Sequence, residues 1–144
     1  MPKNLRVTLE WEFYGSNPDG VPSRAGLYMI LAGKLDAQGS GLPDSYVLLD
    51  IGQSGDGGVR LRGHDREPCW NQKKPADAVV LYKFAAMPSS NYDEADRRIV
   101  ECCLRSHTRP PCGTECNQGY EHPDSIAITN TGKRLPLGET YCCP

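Results

Sequence analysis

Apolar residues in this chain come in short runs. Each run is about one strand long and is closed by glycine, proline or a polar turn. Gly26–Ile30 reads GLYMI, Tyr46–Gly52 reads YVLLDIG and Ala78–Met87 reads AVVLYKFAAM, three strands by length and composition. Val7–Phe13, VTLEWEF, alternates as a half-buried strand does, and Ser125–Thr129, SIAIT, reads as a short last strand. Between them lie two helical stretches. One spans about residues 58–71 and carries Pro68, which is expected to end or disturb it. The other is capped at Ser90 or Asn91 and runs to about His107, ahead of Pro110-Pro111. Strands and helices in this order predict an α+β domain: a small central antiparallel β-sheet flanked by α-helices, with an extra N-terminal strand and a short C-terminal extension.

The 144 residues suit one domain. Leu, Ile, Val and Phe make up just under a fifth of them, a share that accompanies disorder only when net charge is large; here it is −2. No apolar run approaches the roughly 18 residues of a membrane span, and Met1–Glu10 lacks the apolar stretch of a signal peptide. These features predict a cytoplasmic protein. Its seven cysteines, odd in number, are then expected as reduced thiols or metal ligands rather than a disulfide framework, with Cys102 and Cys103 as buried free thiols.

Net charge argues mildly against a nucleic-acid partner, but local charge does not. Residues 60–74 hold Arg60, Arg62, Arg66, Lys73 and Lys74 against Asp65 and Glu67. Residues 97–109 hold four arginines against Glu101. Ten of the sixteen basic residues are arginine, the better fork for phosphate. On a helical wheel Glu94, Arg97, Glu101, Arg105 and Thr108 share one stripe, which reads as a solvent-facing polar face opposite Tyr92, Ile99 and Cys103.

Three segments gain meaning together. Gly26-Leu27-Tyr28 lies on one strand and Asp50-Ile51-Gly52 on the next. Arg60 follows Gly52 by eight residues, His64 follows Arg60 by four, and Asn117 follows Glu101 by sixteen. In order and spacing this set resembles the GIY-YIG nuclease family over about residues 24–118, leaving 1–23 and 119–144 as extensions. The resemblance implies a divalent-metal-dependent endonuclease that hydrolyses DNA phosphodiester bonds. Glu101 would then hold Mg²⁺ (or Mn²⁺), and Arg60 would donate paired N–H bonds to the scissile phosphate. Tyr28 would help deprotonate the nucleophile. His64 would orient water or carry a proton near neutrality, and Asn117 would fix a loop. Asp50 stands where the family has tyrosine, as a base, an extra Mg²⁺ ligand or an outer partner of Tyr28. Tyr46 or Tyr82 can also stand in for the missing phenol from a neighbouring strand. Strand alternation places Tyr46, Leu48 and Asp50 on one face, taken as the catalytic one.

Two other readings stay open. Asp50 also fits a catalytically silent nucleic-acid-binding module. Cys103, His107, Cys112 and Cys116 also fit a tetrahedral Zn²⁺ site organising a protein-interaction domain. No appended recognition domain is visible, so specificity in cutting DNA would be weak or supplied by a protein partner.

Overall fold

A computed structural model of the chain describes residues 4–34, 46–113, 125–132 and 135–143. The strands are β1 (Asn4–Glu10), β2 (Glu12–Phe13), β3 (Gly26–Gly33), β4 (Tyr46–Ser54), β5 (Val79–Ala86), β6 (Ser125–Thr131) and β7 (Thr140–Cys143). The helices are α1 (Gly57–Leu61), α2 (Glu67–Lys73) and α3 (Glu94–Thr108). The fold is α+β, and no described helix is long and apolar enough to cross a membrane.

The central sheet has the order β2-β5-β3-β4 and is antiparallel throughout. β3 is buried at every position because both of its faces are covered. Leu27, Met29 and Leu31 pack on one side with Leu5, Val7 and Leu9 of β1, Ile126 and Ile128 of β6, and Ile99, Val100 and Leu104 of α3. Tyr28, Ile30 and Ala32 pack on the other with Leu61, Trp70, Tyr82 and Phe84.

The N-terminal strand is not one strand of this sheet. The chain breaks at Trp11: β1 runs parallel to β6 in a second sheet, β1-β6-β7, while β2 joins β5. Trp11 is the pivot. Its backbone N–H donates to the Thr131 carbonyl at 2.9 Å and its buried indole N–H to Asn130 Oδ1 at 3.0 Å. Alternation alone does not show such a change of sheet, since the inward residues stay inward.

The first helix divides into α1 and α2. Pro68 does not end a helix; it sits in the opening turn of α2, where a missing N–H costs nothing. α3 starts later than expected, at Asp93, whose side chain forms a reciprocal capping box with Asp96.

Beyond the exposed Glu94, the polar stripe of α3 is not solvent-facing. Arg97 and Arg105 are buried, and the Glu101 side chain is only 16% exposed. The reason is the edge of β4, which presents unpaired backbone groups. Arg105 Nε donates to the Ile51 carbonyl at 2.7 Å, and the Gln53 backbone N–H is bonded to the Glu101 carboxylate. Past the helix, the Cys112 N–H donates to the Leu49 carbonyl at 2.9 Å.

Four of the described cysteines are oxidised, and Cys142 is a free, exposed thiol. Cys69 of α2 is bonded to Cys112, with Cα atoms 5.9 Å apart, and Cys102 and Cys103 are disulfide-bonded as well. This overturns the free-thiol expectation for Cys69, Cys102, Cys103 and Cys112, and with it the proposed Zn²⁺ set. A sulfur in a disulfide has no thiolate to offer a metal. His107 instead stacks on Tyr141 with ring centroids 4.5 Å apart. Cys116 lies outside the described residues.

Candidate functional site

β3 and β4 do not pair evenly. Ile30 faces Asp50 and Leu31 faces Leu48, so Leu49 is an extra residue, a β-bulge. The bulge turns the alternation over. Tyr46 and Leu48 pack with Met29 and Ile51, while Leu49 packs with Trp70 on the opposite face. Asp50 also turns to the Trp70 side, which corrects the expectation that it shares a face with Tyr46.

Beyond the bulge, Gly52 lies opposite Tyr28. The Tyr28 ring folds across it: a Cβ at residue 52 would stand 2.6 Å from Tyr28 Cε2 and closer still to Cζ and Oη. A glycine is needed here for space, not for backbone conformation. The buried phenol oxygen meets His64 Nε2 at 2.6 Å and Arg66 Nη2 at 2.9 Å.

His64 follows α1 and is buried against Trp70, with ring centroids 4.7 Å apart. The Arg66 backbone N–H donates to His64 Nδ1 at 3.0 Å. A backbone N–H can only donate, so the ring proton sits on Nε2 and points at Tyr28 Oη. Asp65 Oδ1 is 3.1 Å from the same Nδ1 but is held by Arg60 Nη2, also at 3.1 Å. Burial, then Arg60 and Arg66, push the His64 pKa down to about 3. His64 is therefore neutral near pH 7. Burial pushes Tyr28 up to about 12 against the pull of Arg66, so it is a phenol in the same range.

Asp50 is wholly buried and holds the other end of Arg66. Its Oδ2 accepts from Arg66 Nε at 2.6 Å and from the Trp70 indole N–H at 2.7 Å. Among the described residues Oδ1 has no hydrogen-bond partner; Arg105 Nη2 is 3.8 Å away and Gly113 lies against it. Burial raises the Asp50 pKa above the usual carboxylate range, against both bonds on Oδ2. Asp50 has no solvent access and reaches the cavity through Arg66.

Tyr28, Gln53, Arg60, Arg66, Arg98, Glu101 and Arg105 line a polar cavity of about 220 Å³. Each arginine has its own carboxylate: Asp65 for Arg60 at 3.1 Å, Asp50 for Arg66 at 2.6 Å, Glu94 for Arg98 at 2.8 Å and Glu101 for Arg105 at 3.2 Å. These pairs fix four guanidinium groups around one space, an arrangement suited to a phosphate. Among the described residues Glu101 is the lone carboxylate lining it, its pKa raised by burial against Arg105. Among the described residues no group of three or more His, Cys, Asp or Glu gathers as a metal site. One wall carboxylate still fits Mg²⁺, which typically takes one or two carboxylates and completes its shell with substrate oxygen and water.

Of the expected site residues, the structure brings Tyr28, Arg60 and Glu101 to the cavity and places His64 and Asp50 behind it. Asn117 lies outside the described residues. Tyr82 packs edge-on to Trp70 and Tyr46 packs on the far face, so neither phenol replaces the missing one. Sequence reasoning missed Arg66, Arg98, Arg105 and Gln53. Arg66, two residues past His64 in a basic segment, had only that position to mark it. No family model, curated protein or solved structure matches the chain.

Proposed function

We propose that this chain is a metal-assisted phosphodiesterase acting on DNA, a GIY-YIG-type endonuclease. The observation that carries the reading is the cavity, where Tyr28, Arg60 and the Glu101 carboxylate meet three further arginines around one space. A Mg²⁺ held by Glu101 would polarise the phosphate and lower the pKa of an attacking water. Arg60, with Arg98 and Arg105 beside it, would bind the non-bridging oxygens, where their N–H groups oppose the charge that grows in the transition state. Tyr28 presents its phenol beside that position, with His64 and Arg66 bonded to its oxygen. A second reading, a binding module without catalysis, is favoured by the high Tyr28 pKa and the inaccessible Asp50.

The test is cleavage of supercoiled plasmid and of branched DNA with Mg²⁺, with Mn²⁺ and with EDTA. The nuclease reading expects metal-dependent cleavage that Glu101→Gln abolishes while circular dichroism stays native. Retained DNA binding with no cleavage in either metal would replace it with the binding module. Neither binding nor cleavage would end both.

A further inference from the structure

We propose that Arg66 is a positioning residue for Tyr28, held to that task by the buried Asp50 carboxylate. This rests on the nuclease reading above. Arg66 acts on the phenol in two ways. Its Nη2 donates to Tyr28 Oη at 2.9 Å, and its backbone N–H sets the His64 tautomer that donates to the same oxygen at 2.6 Å. With both N–H groups on the phenol oxygen, its acceptor capacity is taken up. The phenol's own proton is left to donate elsewhere, and the free space beside Tyr28 is the arginine-lined cavity. Arg66 thereby aims the Tyr28 O–H at whatever phosphate oxygen occupies that cavity.

The guanidinium fork is what makes this possible. Nε lies on Asp50 and Nη2 on Tyr28, so one rigid plane spans both. A lysine places one flexible ammonium there and cannot hold both. Asp50 fixes the plane because it is itself fixed: the Trp70 indole donates to the same Oδ2 at 2.7 Å. Its burial keeps Asp50 from the substrate, so its influence must pass through Arg66.

The experiment combines kinetics with a metal-free spectroscopic readout on the full chain. With ¹³Cζ-tyrosine labelling at pH 7, the Tyr28 resonance is assigned by its loss in Tyr28→Phe. It is expected to move in both Arg66→Lys and Asp50→Asn. In cleavage, Arg66→Lys is expected to lower kcat by about 10²-fold, the scale of one lost preorganised donor, with KM within a few fold. In a Tyr28→Phe background the same substitution should cost less than about 3-fold, because residues acting through one group are not additive. Losses that multiply in the double variant, or a rise in KM alone, would mean that Arg66 acts on substrate directly and overturn the proposal. So would a Tyr28 resonance unmoved in both variants. If Arg66→Lys fails to fold, Asp50→Asn alone decides, since it keeps the shape and an oxygen for Trp70. If the wild type cleaves nothing, the nuclease reading fails, and the Tyr28 resonance still decides whether Arg66 positions the phenol.

Discussion

Gly52→Ala puts one methyl group under the Tyr28 ring. The new Cβ would stand 2.6 Å from Cε2 and nearer to Cζ and Oη, where ordinary contact begins near 3.4 Å. The ring must retreat by about 1 Å or more, and a buried side chain in a filled cluster has little room for that. Such a shift stretches the 2.6 Å bond to His64 and the 2.9 Å bond to Arg66 past hydrogen-bonding range. Overpacking costs about 1–3 kcal/mol, and two strained hydrogen bonds add about 1 kcal/mol each. The sum is about 3–5 kcal/mol, or a melting temperature lower by roughly 9–15 °C for a domain of this size. Calorimetry of wild type, Gly52→Ala, Tyr28→Ala and the double variant is the assay. If the ring is the cause, Gly52→Ala is nearly harmless once Tyr28 is alanine. An equal cost in both backgrounds, or a single variant melting within about 2 °C of wild type, would refute the steric account.

Other outcomes follow from the same geometry. The His64 pKa is depressed in the folded state to about 3, so neutral His64 contributes stability that is full above pH 6.5 and is lost as pH falls toward 3. That loss is at most about 5 kcal/mol. Asp50 and Glu101, raised by burial, pull the other way, so the measure is the difference in urea midpoints between wild type and His64→Gln from pH 7 to 4. Parallel curves would contradict it. Joint replacement of Cys69 and Cys112 by alanine opens a loop with a sequence separation of 43, and loop entropy sets the loss near 4 kcal/mol. A change in unfolding free energy below about 1 kcal/mol would show that the turn after α3 is held without the disulfide. Arg60→Lys should slow cleavage by about 10²-fold, while Arg62→Lys, paired with Asp19 outside the cavity, should not. The reverse ranking would move the phosphate site away from Arg60.

Much of the fold was legible because it depends on local pattern. β3, β4, β5 and α3 are marked by apolar runs, a proline stop and caps, all of which act within a few residues. What the sequence left open depends on partners far along the chain. The change of sheet at Trp11 requires Asn130 and Thr131. The cysteines could not be paired by count, and the odd total pointed away from disulfides although Cys69 and Cys112 meet across the sheet edge. The α3 wheel correctly grouped Arg97, Glu101 and Arg105, but a wheel cannot show that a strand edge lies opposite. A polar helix face turns inward when backbone donors and acceptors there need partners.

Asp50 shows the same limit at the candidate site. A one-residue bulge is invisible in a single strand, because it exists only as a mismatch with β3. Straight alternation would have left position 50 on the face of Tyr46 and Leu48. The bulge instead rotates it toward Trp70, behind the cavity, where a carboxylate stays buried only with donors on it. Trp70 and Arg66 are those donors. The residue drawn to the buried charge is thus the one whose other nitrogen reaches Tyr28. An aspartate that cannot copy a phenol still bears on the phenol that remains, because neutralising it requires an arginine held between the two.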